Sequence, residues 1–181
     1  PSILPYFDSP DQQASPLILA KMGRAGRPDE NLRLIADIRS ALPDATLRTS
    51  LLVGFPGETD DDLQKLLDFQ AAAQIDWLGA FEYSPEEGTL AATMDGRPGP
   101  RTTKRRKTTL ETAQVAITAD RMDRFIGRTF RVLIEEAVEG EDMALGRTAF
   151  QAPEVDGLTV VHMKRDTIVP GQFVDVRIDR R

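Results

Sequence analysis

Residues 48–58 read Arg48-Thr49-Ser50-Leu51-Leu52-Val53-Gly54-Phe55-Pro56-Gly57-Glu58, and the reading of this stretch decides the fold. A short apolar run with strand character stops at Gly54. Phe55-Pro56-Gly57 makes a tight turn, and a helix starts behind it. Thr59 is placed to cap that helix, with Asp62 three residues on, an acidic form of the capping box. Strand, turn and helix start form the unit from which parallel α/β sheets and barrels are built. In such folds the ligand sits where strands end and helices begin. The two glycines allow backbone to approach a bound group, and the helix start is expected to offer free N–H donors. Taken alone, the same unit more often serves as punctuation between elements.

Parity within the strand Thr46–Val53 sharpens the reading. Leu47, Thr49, Leu51 and Val53 point one way, and Arg48, Ser50 and Leu52 the other. A parallel strand covered on both sides is apolar on both. An Arg and a Ser on one face therefore suggest a polar cavity; the alternative is that Arg48 lies near a strand end and simply reaches solvent.

On the N-terminal side, residues 3–7 are expected to form a short buried strand that runs into a polar loop over residues 8–13. Ser15 has the character of an N-cap, with Pro16 at the first helical position. Gly23 and Gly26 interrupt that helix. A second helix begins near Pro28, carries Leu32, Ile35, Ile38 and Leu42 at helical spacing, and ends at Pro43. On the C-terminal side, the helix over residues 59–74 buries Leu63, Leu66, Leu67 and Ala71. Its first-turn residues Asp60, Asp61 and Asp62 read as cap and dipole residues rather than a metal cluster. A third strand, residues 77–83, follows. The resulting β-α-β-α-β run implies a parallel arrangement with right-handed crossovers.

A Gly/Pro-rich loop over residues 94–100 leads to a helix that continues to about Phe125. Its start holds Arg101, Lys104, Arg105, Arg106 and Lys107, which reads as a solvated helix face or, less readily, as a phosphate-binding patch. From Gly127 the periodicity changes. Strands over residues 129–134, 144–150, 158–162 and 173–178, with turns at 139–142 and 170–171, suggest a small β-barrel of oligonucleotide-binding type. Such a short barrel is expected to lean on the preceding helix.

Composition limits the function. The 181 residues are 40% hydrophobic and 29% charged, ordinary for a globular protein, with no run of about 20 apolar residues to span a membrane. Cysteine is absent, which removes disulfides and thiolate ligands, and a single His argues against a zinc site built by this chain alone. The opening Pro-Ser-Ile-Leu-Pro lacks an initiator Met and a signal-peptide pattern, and reads as part of something longer. A net charge of −6 disfavours a wide nucleic-acid surface. Within residues 127–181, eight Lys/Arg face ten Asp/Glu. The aromatics there, Phe130, Phe150 and Phe173, are all open to burial by strand parity. A basic protein partner is therefore favoured over naked RNA.

Several stretches together resemble the methylthiotransferase branch of the radical S-adenosylmethionine enzymes. Leu4-Pro5-Tyr6-Phe7-Asp8, with Pro10 and Gln12, resembles that family's fourth barrel strand and following loop. Residues 48–59 resemble its fifth strand and turn, and Phe81-x-Tyr83-Ser84-Pro85-x-x-Gly88-Thr89 its sixth strand. The terminal module resembles its TRAM domain. The resemblance implies an α/β fold: the later strands of a parallel (β/α) TIM-like barrel over residues 1–100, a connecting helix over 101–126, and a small all-β, OB-like TRAM barrel over 127–181.

Within the family, Gly146-Arg147-Thr148 followed by Ala152-Pro153-Glu154-Val155-Asp156-Gly157, and the Asp8-x-Pro10 pattern, are similar to the subgroup acting on ribosomal protein S twelve. The tRNA-modifying relatives usually carry His near Asp8 and a more basic barrel. What the resemblance implies is a cytoplasmic transferase that adds a methylthio group to the β-carbon of an aspartate. Its cofactors are S-adenosylmethionine and two iron–sulfur (4Fe-4S) clusters. Its TRAM domain is expected to dock ribosomal protein S twelve on the small ribosomal subunit, with rRNA or tRNA less favoured and no membrane involved.

The cluster-binding Cys-x-x-x-Cys-x-x-Cys loop is missing. No residue here is therefore assigned a catalytic or metal-binding role, and the chain alone is expected to be inert. By the same resemblance, Gln12, Arg48 and Ser50 are expected to meet the polar parts of S-adenosylmethionine, the guanidinium being suited to its carboxylate. Val53, Gly54 and Phe55 are expected to offer backbone and apolar surface to the adenine, with Tyr83 and Ser84 flanking it. The family's Leu and His beside Gln12 are Asp11 and Gln13 here. Two alternatives remain: a tRNA methylthiotransferase, and a non-catalytic module gripping RNA or a ribosomal protein.

Overall fold

A computed structural model describes residues 3–180. The chain divides into two units, one spanning Phe7–Arg121, the other running from Met122 onward and including the residues up to Tyr6.

The first unit is built on a three-stranded sheet, ordered β1 (Tyr6–Gln12), β2 (Thr46–Val53), β3 (Trp77–Glu82). Strands β2 and β3 run parallel, in the register Arg48↔Trp77, Ser50↔Gly79 and Leu52↔Phe81. Between the strands lie α1 (Pro16–Lys21), α2 (Pro28–Ala41) and α3 (Asp60–Ala73), and α4 (Pro100–Met122) follows β3. The proline after Ser15 and the Gly23 break bound α1 as expected. The Thr59–Asp62 capping box forms in full, each residue bonding the other's backbone. Leu47, Leu51 and Val53 of β2 pack with Ile35 of α2, Leu66, Phe69 and Ala73 of α3, Ala80 of β3 and Leu110 of α4. Leu51, Leu66 and Leu110 are fully buried, each contributing about 1.5–3 kcal/mol.

These three strands form one sheet, in which β2 and β3 run parallel, within a mixed α/β unit. One expectation is overturned in its detail. The first strand is not the apolar run 3–7, where Ile3 and Leu4 are exposed, but the polar run that had been read as a loop, including Asp8, Pro10 and Gln12. Hydrogen bonding explains it. Thr49 Oγ1 lies 2.8 Å from the Ser9 carbonyl and 2.9 Å from Asp11 Oδ2, and the Asp11 amide donates to it. Asn31 Nδ2 donates to the other Asp11 oxygen at 2.8 Å. Burial pushes the Asp11 carboxyl above the usual carboxylate range, against the lowering effect of the Thr49 hydrogen bond.

The second unit is a four-stranded antiparallel sheet ordered β6 (Thr159–His162), β5 (Met143–Arg147), β4 (Thr129–Ala137), β7 (Phe173–Arg177). β4 extends three residues beyond the expected end because the ladder is interrupted between Ile134 and Glu136 and then resumes. Val132, Ile134, Ala144 and Val161 make its core. Gly146 is required where β5 crosses β4, since a Cβ there would lie 2.5 Å from the Leu133 carbonyl oxygen. Phe125 stacks on Phe150 at 4.1 Å between centroids, and Phe130 meets both edge-on. Phe173 departs from expectation. It is exposed on the outer face, with the Arg131 guanidinium 4.6 Å from its ring centre. The parity that sends Val174 and Val176 inward sends Phe173 and Asp175 outward.

The 152–157 segment is tied by Asp156. Its Oδ2 accepts from the Ala152 amide at 2.8 Å and from the Tyr6 hydroxyl at 2.6 Å. Among the described residues, no helix is long and apolar enough to cross a membrane.

Candidate functional site

The two faces of β2 differ as strand parity requires. Leu47, Thr49, Leu51 and Val53 are buried under the helices, whereas Arg48, Ser50 and Leu52 are only partly covered. On β3 the in-register partners Trp77, Gly79 and Phe81 share that second face, while Leu78 and Ala80 turn toward the helices. On β1, Asp8 joins it, holding Arg48 Nη1 at 2.8 Å. Arg48 lies along the sheet, and its side chain is only 11% exposed. Gly79 leaves room for it, since a Cβ there would stand 3.4 Å from Arg48 Nη2 and 2.9 Å from the Phe81 ring. A half-exposed sheet face thus carries an ordered guanidinium, a hydroxyl and an aromatic ring. No helix covers it.

At the carboxyl end of the strands, Phe55 is buried and meets Tyr83 edge-on at 5.2 Å. The Tyr83 amide donates to the Val53 carbonyl at 2.8 Å. The Tyr83 hydroxyl is buried and has no hydrogen-bond partner. Buried hydroxyls are nearly always paired, so an orphan at the strand ends is suited to a ligand donor or acceptor. Gln12, the last residue of β1, has φ 66°, the left-handed region that costs a non-glycine residue energy and persists only where its surroundings enforce it.

The structure brings Gln12, Arg48 and Ser50 to one sheet and joins Val53, Phe55 and Tyr83 at its carboxyl end. Ser84 follows Tyr83 and is exposed. The Val53 side chain points into the helix-side core, leaving its backbone at the strand end. Gly54 has φ 83°, and a Cβ on it would lie 2.5 Å from Thr103 of α4. It is a glycine because of that close packing as well as its backbone conformation.

Part of the donor set expected at the turn and helix start is already occupied. The Gly54 amide donates to Glu58 Oε2, the Gly57 amide to the Gly96 carbonyl, the Glu58 amide to the Phe55 carbonyl and the Thr59 amide to Asp62. The Asp62 amide donates to Thr59 Oγ1. The turn and the capping box thus occupy these five amides themselves and leave them unavailable to an anion.

Sequence reading missed three participants. Glu58 is buried, with Arg106 Nη1 at 2.7 Å. Arg106, read as part of a solvated basic face or phosphate patch, is itself buried and also pairs with Asp60 at 2.8 Å. Arg97 sits 5.6 Å over the Tyr83 ring and donates to the Tyr83 carbonyl. The Glu58–Arg106 pairing had no local signal: Glu58 stands between the turn glycine and the run Asp60-Asp61-Asp62, and its partner lies 48 residues later.

Residues 126–181 match the TRAM domain family. Along nearly its whole length the chain is similar to proteins named "Ribosomal protein uS12 methylthiotransferase RimO". It is 47% identical over 176 residues to that of Pseudothermotoga lettingae, covering 97% of this chain and 40% of that protein. It is 43% identical over 180 residues to that of Synechococcus sp. (strain CC9902), covering 98% and 39%. It is 42% identical over 178 residues to that of Moorella thermoacetica, again covering 98% and 39%. The chain is a homologue of part of these methylthiotransferases, spanning about two fifths of the length of those relatives.

Proposed function

We propose that this chain is the cofactor-supporting and substrate-docking portion of a radical S-adenosylmethionine methylthiotransferase that modifies an aspartate of ribosomal protein uS12. The observation that carries the proposal is the open face of the parallel sheet. There, Arg48 and Ser50 are set out beside Trp77 and Phe81, while their strand neighbours are buried under helices. S-adenosylmethionine fits this surface. The Arg48 guanidinium would hold its carboxylate, Ser50 and Gln12 its other polar atoms, and the partnerless Tyr83 hydroxyl and the Phe55 ring its nucleoside. When bound, that cofactor supplies the radical and the methyl group of the reaction. The residues of this chain orient it: Asp8 holds the guanidinium in place, and the Phe55–Tyr83 contact excludes water at the strand ends.

The residues here do not fit an iron–sulfur cluster. There is no cysteine, and the described residues contain no group of three or more His, Asp or Glu placed to hold a metal. The TRAM unit is the docking element for the protein substrate. Its excess of carboxylates suits a basic ribosomal protein.

One observation favours a second reading, in which this unit grips RNA. Phe173 is exposed beneath Arg131, as in a base-stacking platform. The two readings separate by retention of uS12 or of tRNA on the complete enzyme across a salt series. Salt-insensitive tRNA exclusion with uS12 retained supports the first, and steeply salt-dependent tRNA binding the second.

The cofactor assignment is tested by Arg48→Ala in the complete enzyme. Loss of one charge-assisted contact weakens S-adenosylmethionine binding by about tenfold, corresponding to about 1.5 kcal/mol, measured by calorimetry. Unchanged affinity removes Arg48 from the site.

A further inference from the structure

Glu58 takes no part in the contacts assigned above, yet its carboxylate is fully buried beside them. The groups facing it are donors. Oε2 accepts from the Gly54 amide at 3.0 Å and from Gln13 Nε2 at 3.2 Å, and Oε1 accepts from Arg106 Nη1 at 2.7 Å. These donors come from three segments: the end of β2, the loop after β1, and α4. Gln13 extends the link, since its Oε1 accepts from the Ala14 and Ser15 amides where α1 begins. Arg106 closes it, donating to the Glu58 carbonyl and to Asp60 at the start of α3.

Only a carboxylate, which has two acceptor oxygens and no donor, satisfies all three partners at once. Gln12, Val53 and Phe55 are the immediate neighbours of the anchored Gln13 and Gly54. Gln12 is the residue held at a positive φ. Burial raises the Glu58 carboxyl above its usual range, opposed by the Gly54 amide and Arg106, while nearby Asp62 adds to the rise.

We propose that Glu58, clamped by Arg106, is a positioning residue: it fixes the Gly54 amide and the Gln13 side chain so that Gln12, Val53 and Phe55 stand preorganised for the ligand. This rests on the cofactor reading above. Substitution by Gln turns an NH₂ group toward surrounding donors and leaves Arg106 buried without its counter-charge.

The test uses the complete enzyme and two readouts, calorimetric affinity for S-adenosylmethionine and hydrogen exchange at the Gly54 amide. In the unsubstituted protein without cofactor, Gly54 is expected to exchange as slowly as the amides of β2. Loop-like exchange there overturns the proposal without any variant. In Glu58→Gln, affinity falls about tenfold or more and Gly54 exchange accelerates. A second variant combines Glu58→Gln with Arg106→Met and so removes both charges, a replacement that often preserves stability. It is expected to regain thermal stability while binding stays weak. Recovery of full affinity along with stability makes Glu58 a stabilising residue only and overturns the proposal, as does unchanged affinity in Glu58→Gln. Failure of the unsubstituted enzyme to bind S-adenosylmethionine is a different result, and it removes the cofactor reading together with this inference.

Discussion

Asp62 illustrates how a single side chain couples local structure to solution behaviour. Burial alone would raise its carboxyl, but the nearby Ser15 hydroxyl and hydrogen bonds from the Thr59 amide and hydroxyl and from Lys65 outweigh that effect and hold it at about 2. A depressed folded-state pKa means stability that is present above the unfolded value, near pH 4, and lost as pH falls toward 2. Allowing for solvent screening, the contribution is about 1–2 kcal/mol. Urea midpoints measured between pH 5 and 2 are expected to fall less steeply for Asp62→Asn than for the unsubstituted chain. Equal slopes would show that the capping box does not discriminate between charge states. Asp11 and Glu58, both raised by burial, act in the opposite sense, so the comparison must be made between variant and parent rather than read from one curve. The capping residues were legible because their spacing is a local rule. Glu58 was not, since its partner lies 48 residues away and no local pattern encodes it.

At the scale of elements, β2, α3 and α2 were legible because apolar residues recur at the strand or helix period. β1 was placed on the wrong residues, and α4 was legible in extent but not in what holds it, for one shared reason. Both are held by polar contacts that hydrophobic periodicity does not register. The buried stripe of α4 is Thr103, Arg106, Leu110 and Gln114, three of its four members polar. Gln114 Nε2 donates to the Ile75 carbonyl at 2.8 Å, and Gln114 Oε1 accepts from Gln70 at 2.9 Å. Thr118 bonds the Asp76 carbonyl, and Arg121 pairs with the buried Asp76 carboxylate, which also accepts from the Leu47 amide. Helix α4 is therefore fastened to both ends of the parallel sheet, at Asp76 and at Glu58, and the five basic residues at its start are not a uniform solvated patch. Gln114→Ala takes the donor from the Ile75 carbonyl and one of two acceptors from Gln70 Nε2, which still donates to the Leu110 carbonyl. It is expected to cost about 1–3 kcal/mol by urea denaturation. A change within experimental error would mean that water replaces the side chain. In the antiparallel unit, strand positions were legible but facing was not. Phe173 was free by parity to face either side, and only the pairing with β4 sets it outward.

For the molecule as a whole, similarity across almost the entire chain to about two fifths of several uS12 methylthiotransferases joins a parallel α/β unit to a TRAM domain. The parallel unit carries a sheet with one face packed under helices and one face left polar and aromatic. That asymmetry was readable from Arg48 and Ser50 in an otherwise apolar strand. Arg48 does not simply reach solvent from a strand end: it lies along the sheet against Asp8 and over Gly79, its side chain 11% exposed. The central claim is that this face receives S-adenosylmethionine. The most direct measurement is amide hydrogen exchange of the complete enzyme with and without that cofactor. Slowed exchange confined to residues 48–55 and 81–84 is the predicted result. Protection that leaves both segments unchanged and appears elsewhere would contradict it.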